Sequence, residues 1–328
     1  MQTSVKLVCP KCKIVLGEFD HLLKCLDCDL DFQIVNDIPR FVPSSNYANS
    51  FGLQWNSFSK TQFDSQAIKR SQMRFENETG WPDQSIKGKI VLDAGCGSGR
   101  FSEVALKKEA RLVAVDYSNA VDAAKNNLKK GDLCILQADL AQLPLEDCVI
   151  DFIYCIGVLQ HTRNPREIVS ELLRCLRIGG EVTFTFYENS SWHVKLYSKY
   201  LVRPLTKQVP KNVLLSFIQN SSVFWFPITN FLFKLPAPFS RIFRFVIPIA
   251  NYVEFEYANK ESAREEAILD TFDMLSPEYD VPIKRNTFKS WVDSSSVKVE
   301  YLHVNPKQGT IKLQKLSHNS EIQGSEVS

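Results

Sequence analysis

From Asn189 to Val253 the chain runs for 65 residues without one Asp or Glu. Eight basic residues fall inside that gap: Lys195, Lys199, Arg203, Lys207, Lys211, Lys234, Arg241 and Arg244. A chain of net charge +2 therefore nets −6 everywhere else. Other absences exclude whole classes. No uninterrupted apolar run reaches the roughly 18 residues that a membrane-spanning helix needs. The opening MQTSVKLVCPKC has no basic patch followed by an apolar core, so no signal peptide is expected. The nine cysteines are not arranged as a secreted disulfide framework, since four cluster near the start and five are scattered. That usage points to a reducing, cytoplasmic compartment. No internal repeat is present. What remains is ordinary for a globular protein, at 44% hydrophobic and 23% charged residues. The length of 328 residues suits one large domain plus an appendage.

The stretch NYANSFGLQWNSFSKTQFDSQAIKRSQMRFENETGW is polar, aromatic and reads as mostly helical. From Lys89 strands and helices alternate. KIVLDAG precedes a helix over 100–108, and RLVAVD precedes SNAVDAAKNNLKK, with Ser118 as N-cap and Gly131 ending the helix. DLCILQAD and IDFIYCIGVL are the third and fourth strands. NPREIVSELLRCLRIGG is a helix with Asn164 as cap, Pro165 at its first position and Gly179 after it, and EVTFTFY is the fifth strand. β-Branched and aromatic strands alternating with amphipathic helices predict a parallel sheet covered on both faces. After Tyr187 the alternation stops. Pro204, Pro210, Pro227, Pro236, Pro238 and Pro248 predict short helices there. A helix over 287–293 and a strand pair, VKVEYLHV and GTIKLQKL, follow, and the polar tail from Ser317 is expected to be disordered.

The turn in VLDAGCGSGRF (91–101) brings something close to the backbone, because glycine is used where a side chain would obstruct. A dinucleotide fingerprint places a third glycine where this chain has Arg100, and a triphosphate loop ends in G-K-[ST], which is missing. Three carboxylates sharpen the turn. Asp93 precedes the first glycine by two residues. Asp116 ends the second strand, where it can accept both ribose hydroxyls of an adenosyl group. Asp139, followed by Leu140, ends the third at a place that suits an adenine edge.

Together VLDAGCGSGRF, LVAVD, LQADL and DFIYCIGVLQH, within Lys89–Tyr187, resemble the class I S-adenosylmethionine-dependent methyltransferases of the type 11 kind. The resemblance implies an α/β, Rossmann-like sheet of seven strands in the order 3-2-1-4-5-7-6, helices on both faces and the last strand antiparallel. It implies S-adenosylmethionine as cofactor, with Asp93, Gly95, Gly97 and Gly99 on its methionine side, Asp116 and Tyr117 at the ribose, and Asp139 and Leu140 at the adenine. Ile156, ending strand four, adjoins it. A nicotinamide-binding Rossmann protein is the alternative. Methyl transfer from a sulfonium depends mostly on alignment, and a base is needed only where the acceptor must lose a proton. The family often places a His after strand four, which makes His161 the candidate base; its structural alternative is a residue bonding a nearby loop. The [DNS]-P-P-[YFW] run of amino-methylating nucleic-acid enzymes is replaced here by CIGV, and Cys155 follows Tyr154 rather than the proline of cytosine C5 enzymes. Cys96, Cys134, Cys148, Cys155 and Cys175 read as small hydrophobes.

Cys9, Cys12, Cys25 and Cys28 form C-x2-C-x12-C-x2-C, the spacing of two knuckles that close a tetrahedral shell of four thiolates around a structural Zn2+. With the FQIVNDIPRFVP that follows, the segment resembles the zinc ribbons that precede some bacterial methyltransferase domains. This divides the chain into a ribbon over 1–45, a methyltransferase core with a helical cover over 46–187, and a basic and aromatic lid over 188–254. Residues 255–316 then complete the sheet and 317–328 form the tail.

Two acceptors compete. Ribbon plus core is similar to a ribosomal RNA guanine methyltransferase, but the ribbon carries Glu18, Asp20, Asp27, Asp29, Asp31 and Asp37, and the pI near 8.0 is modest for an RNA binder. FGLQWNSF, TGWP, LDTFDMLSPEYD and GTIKL resemble methyltransferases encoded with envelope-polysaccharide and secondary-metabolite genes, which favours a small-molecule or lipid- or saccharide-linked acceptor over nucleic acid. The acid-free segment holds 13 of the 37 aromatics. Lys195, Lys199, Arg203, Lys207 and Lys211 recur every four residues, along one helical face if the prolines permit. That pattern suits peripheral contact with the inner face of a membrane through 189–253, or an ordinary lid with a solvated basic face. Trp55 and Arg74, with Tyr47 and Phe51, belong to the segment expected to fold over the cofactor, and Asp273 and Tyr279 are expected to reach the acceptor from the far side. Outside enzyme function, an inactive scaffold and a zinc-dependent interaction module remain open.

Overall fold

A computed structural model describes residues 5–43, 45–189, 197–293 and 309–316. Four short strands open it: β1 (Gly17–Phe19), β2 (Leu22–Cys25), β3 (Leu30–Val35) and β4 (Ile38–Arg40), each antiparallel to the next. Helices α1 (Asn49–Ser57) and α2 (Arg70–Thr79) follow. Then come β5 (Ile90–Ala94), α3 (Arg100–Lys107), β6 (Arg111–Asp116), α4 (Ala120–Asn127), β7 (Leu133–Gln137), β8 (Ile150–Ile156), a 3-10 turn at Leu159–His161, α5 (Pro165–Cys175) and β9 (Leu176–Phe186). Three helices fill the insertion, α6 (Ser198–Thr206), α7 (Lys211–Leu232) and α8 (Phe239–Val246). They are followed by α9 (Lys260–Leu275), α10 (Arg285–Asp293) and β10 (Gly309–Gln314).

The strands lie side by side as β1-β2-β3-β4-β7-β6-β5-β8-β9-β10. From β7 to β9 they run parallel, and β10 returns antiparallel along β9. In the order of the expected core strands this is 3-2-1-4-5-7. The strand expected at VKVEYLHV, 297–304, lies outside the described residues. The described sheet has ten strands rather than seven because β4 joins β7 in parallel, Arg40 opposite Gln137. Parallel pairing would otherwise leave β7 with an open edge, and the ribbon strands cover it. Arg40 fastens the joint, donating to Gln137 Oε1 at 2.9 Å and pairing with Asp122 at 2.6 Å.

Alternation along the strands sorts side chains onto two faces. Leu92, Val113, Leu136 and Ile153 pack with Ile168, Val169 and Leu172 of α5 and Phe288 and Val292 of α10. Their neighbours Val91, Leu112, Ile135 and Tyr154 pack with Phe75 of α2, Phe101 and Val104 of α3, and Val121 and Ala124 of α4. A third cluster lies away from the sheet, where Leu214, Leu215 and Ile218 of α7 meet Ile268, Leu269, Phe272 and Leu275 of α9 with Phe58.

Several boundaries differ from the sequence expectation. Helix α5 stops at Cys175, and Gly179 lies inside β9. Ile150 pairs with Leu176 but Phe152 pairs with Glu181, so residues 177–180 bulge out where a longer helix was expected. Asn164 holds the cap position of α5, yet its amide donates to Glu167 instead of capping the backbone. Ser118 accepts from the Ala120 N–H at 3.1 Å from one residue outside the cap of α4, which ends at Asn127, short of Gly131. Prolines predicted short helices after Tyr187, but α7 spans 22 residues with Pro227 inside it. Pro227 and Val223, whose carbonyl loses its helical partner, both lie on the exposed side of α7, where the disruption costs least.

Candidate active site

The cavity of about 310 Å³ lies at the C-terminal ends of β5, β6, β7 and β8, under α1 and beside α9. That is where an open parallel sheet reverses its winding and takes ligands. Between β5 and α3 the chain must turn back on itself, and Gly95, Gly97 and Gly99 do so at φ of +92°, +53° and +92°. The residues around them also leave no room. A Cβ on Gly95 would come within 2.4 Å of Val158, and one on Gly97 within 3.0 Å of the Trp55 indole nitrogen. At Gly99 the conflict is with Leu128, 2.9 Å away beyond the C-terminal end of α4. Gly95 and Gly97 line the cavity, whereas Gly99 serves the packing of α3 on α4.

Asp116 ends β6 against this turn. Its Oδ2 accepts from the Gly97 N–H at 2.9 Å, and its Oδ1 accepts from the Ser118 N–H at 2.8 Å and hydroxyl at 2.7 Å. Burial raises its pKa against those three donors. Tyr117 follows and stacks on Tyr47 with ring centroids 4.7 Å apart. Asp139 Oδ1 accepts from the Ala141 N–H at 2.9 Å, and Asp139 and Leu140 line the same end of the cavity. Two carboxylates on adjacent strands, an apolar floor and a stacked tyrosine pair make a slot for a ribose and a purine. Asp93 is placed differently. It does not line the cavity; it is buried beneath the turn, accepts from the Ser102 hydroxyl at 2.6 Å, and is pushed up to about 7 by burial.

The middle of the cavity is cationic. Arg74 of α2 and Arg100 of α3 both lie over the Phe101 ring, at 5.7 and 4.4 Å, on the glycine-turn side. Burial, then the charge of Arg74, lowers Arg100 to about 10. Arg74 Nε is buried without a hydrogen-bond partner among the described residues. Two neighbouring guanidinium groups with an unanswered donor beside a backbone turn call for a carboxylate.

His161, Tyr187, Tyr252, Asp270, Asp273 and Met274 line the same cavity. The segment after α9 is stitched to the sheet by Val281 N–H to Gln160 O and Ile283 N–H to Tyr187 O, each at 2.8 Å. That stitching sets the Tyr279 carbonyl 3.0 Å from His161 Nδ1. A carbonyl only accepts, so Nδ1 is the donor in this contact. Phe51 and Tyr187 stand edge-on to the imidazole at 5.2 and 5.7 Å. Tyr279 itself packs on Tyr47 instead of lining the cavity and acts through its backbone. Asp270 accepts from Gln62 Nε2 at 3.2 Å, and burial, with Glu266 and Asp273 nearby, pushes it up to about 8.

Asp116, Tyr117, Asp139, Leu140, Ile156, His161, Trp55, Arg74 and Asp273 thus share one cavity. Arg100, Tyr187, Tyr252 and Asp270 join them without having been predicted. Arg100 was visible as the residue that breaks the dinucleotide pattern. Asp270 carried a weaker signal, standing three residues before Asp273 and so one turn away on the same helical face.

In the ribbon, the sulfurs of Cys9, Cys12, Cys25 and Cys28 all lie within 4.8 Å of one another. Cys12 and Cys25 sulfurs are 3.5 Å apart, and the Cys28 N–H donates to Cys25 Sγ at 3.3 Å, which lowers that thiol to about 7. Tetrahedral thiolates about 2.3 Å from one ion stand about 3.8 Å from each other, so the donor set fits a zinc-sized cation. Lys13 ties this knuckle to α5 through Glu171 at 2.8 Å.

Residues 92–184 match the family described as methyltransferase domain. Among curated proteins the chain is 32% identical over 117 residues to a ubiquinone biosynthesis O-methyltransferase of Coxiella burnetii, covering 35% of this chain and 50% of that protein. It is 33% identical over 101 residues to a malonyl-[acyl-carrier protein] O-methyltransferase of Buchnera aphidicola, covering 31% and 40%. The chain thus spans half or less of the length of these relatives. A solved S-adenosylmethionine-dependent methyltransferase from Methanosarcina mazei superposes with a TM-score of 0.41 at 19% identity, over 70% of this chain and 93% of that one. The glycine turn, the two strand-end carboxylates and the match to the methyltransferase domain all fall on the same stretch of chain.

Proposed function

We propose that the protein transfers a methyl group from S-adenosylmethionine to a hydroxyl of a small-molecule or lipid- or saccharide-linked acceptor. The observation that carries this reading is His161. Its Nδ1–H is held by the Tyr279 carbonyl, so in the neutral ring Nε2 is the free lone pair, in the cavity that holds the glycine turn and Asp116. The bound cofactor supplies an electrophilic methyl on a good leaving group. Asp116 would accept from the ribose, Asp139 and Leu140 would border the adenine, and Arg74 with Arg100 would answer the methionine carboxylate, giving the orphaned Arg74 Nε a partner. Those contacts align the methyl. A hydroxyl must shed its proton as it attacks, and His161 takes it. The Asp280 carboxyl, kept below its usual range against burial by Lys199, His161 and Arg203, favours the imidazolium that forms. The names of the two curated relatives support oxygen as the acceptor atom. An RNA acceptor fits less well, because all six ribbon carboxylates, from Glu18 to Asp37, are exposed and repel phosphate.

The test is incubation with methyl-labelled cofactor and fractionated extract, followed by product mass spectrometry. His161→Ala should lower turnover by about 10²–10⁴ while leaving S-adenosylhomocysteine affinity unchanged. Equal turnover in parent and variant removes the base role, and a variant that loses cofactor affinity as well assigns His161 to the fold.

For the ribbon we propose one structural Zn2+ on Cys9, Cys12, Cys25 and Cys28, a closed shell with no position for water. Chelation should release about one zinc per chain and expose β1–β4 to proteolysis. Purified protein that carries no zinc and resists protease equally with and without chelator contradicts it.

A further inference from the structure

Helices α6 to α8 carry exposed apolar side chains that nothing in the described residues covers. Along α7, Val213, Phe217, Phe224, Ile228 and Phe231 follow one another at helical spacing and are each more than half exposed, Phe224 at 74%. At 1.5 Å per residue that stripe is about 27 Å long. The other side of the same helix, with Leu214, Leu215 and Ile218, is buried against α9. Leu201 and Leu205 of α6 add to the exposed set, as do Phe239, Ile242 and Val246 of α8, a helix with no buried side chain. Monomers do not usually leave ten large apolar side chains of one segment in water.

Charge says what covers them. Of the basic residues in the acid-free segment, Lys199 and Arg203 turn inward to Asp280, Lys207 pairs with Glu278 and Arg244 with Glu254. Lys211 donates to the Lys207 carbonyl at 2.7 Å, whereas Lys234 and Arg241 are exposed and have no carboxylate partner among the described residues. A two-fold interface between copies sets the same patch against itself. Here it would bring these cations toward their own counterparts with no acid anywhere from 189 to 253 to neutralise them. An anionic bilayer supplies both what the stripe and what the cations lack.

We propose that α6, α7 and α8 rest on an anionic lipid surface, their apolar side chains in the headgroup–acyl boundary and Lys234 and Arg241 at the headgroups. The buried side of α7 packs on α9, which carries Asp270 and Asp273 into the cavity. The cavity therefore stands behind a single helix pair from the lipid. This surface role goes beyond the proposed methyl transfer and holds whichever acceptor is used.

The experiment is co-sedimentation of the full chain with vesicles of phosphatidylcholine alone and of phosphatidylcholine mixed with phosphatidylglycerol. The parent should bind the mixed vesicles and not the neutral ones. Replacing Phe217→Ser, Phe224→Ser and Phe231→Ser together should lower partitioning at least about 100-fold. Lys234→Ala with Arg241→Ala should lower it about 30-fold, at roughly fivefold per charge. All altered side chains are solvent-exposed, and unchanged S-adenosylhomocysteine affinity in solution shows that each variant is folded and keeps this test separate from that of methyl transfer. Absence of binding, equal binding to both vesicle types, or a parent dimer that the triple serine variant converts to monomer without any vesicle binding overturns the proposal.

Discussion

The parallel sheet and the helical insertion are both rich in apolar residues, and they hide them to very different extents. Leu92, Val113, Leu136 and Ile153 are fully buried, because each strand of the core is covered by helices on both faces. Helix α7 has a partner on one side only. Leu214, Leu215 and Ile218 disappear against α9, while Phe217, Phe224 and Phe231, a few residues along, stand in solvent. Composition alone treats these phenylalanines as core. Position decides otherwise, since α7 packs on α9 with nothing described on its other side.

The largest test of that contrast is a pair of truncations. Leu92→Ala should cost about 2–5 kcal/mol in urea unfolding, for lost transfer energy plus the cavity left in a packed sheet. Phe224→Ala, which removes a larger side chain, should change stability by no more than about 0.5 kcal/mol. If the two costs are alike, α7 is covered in solution and the contrast fails.

A smaller effect compares a buried carboxyl of the sheet with one on α9, the helix that α7 packs against. Asp93 under the sheet's glycine turn and Asp270 on α9 are pushed up to about 7 and about 8, burial being the main cause in both. A carboxyl whose folded pKa exceeds its unfolded value near 3.9 favours the folded state fully only below that value. The advantage is lost as pH rises, through about 7 for Asp93 and about 8 for Asp270. Asp270→Asn cannot ionise, so its Tm advantage over the parent should grow by a few degrees between about pH 5 and pH 8.5 and then level off. A difference that stays constant over that range means that Asp270 is ionised throughout.

The glycine-turn side of the cavity was legible because its determinants are local. Glycines at 95, 97 and 99 follow β5 directly, and Asp116 and Asp139 stand at or just beyond the ends of β6 and β7, so strand–turn spacing alone brings them to one edge of the sheet. Asp93 shows the limit of that logic. It has the right spacing but points beneath the turn to Ser102. The residues that enter the cavity from the C-terminal third of the chain were less legible, Asp273 apart. Asp270 and Tyr252 reach the cavity from more than 150 residues after the glycine turn, and Tyr279 contributes a carbonyl, which no side-chain pattern reveals.

The basic run of the insertion divides most clearly between the two levels. A spacing of four did put Lys199 and Arg203 on one face of α6, as helical geometry requires. The direction of that face was decided by Asp280, a buried carboxylate some 80 residues later that takes both cations at 3.1 and 2.6 Å. By itself the sequence determined the alternation of strands and helices from β5 to β9, the glycine-turn edge of the cavity and the four-cysteine spacing, all built from neighbours in the chain. Only the tertiary structure decided which cations turn inward, which phenylalanines stay in water, and how His161 is held, because each of those depends on a partner that packing alone brings near.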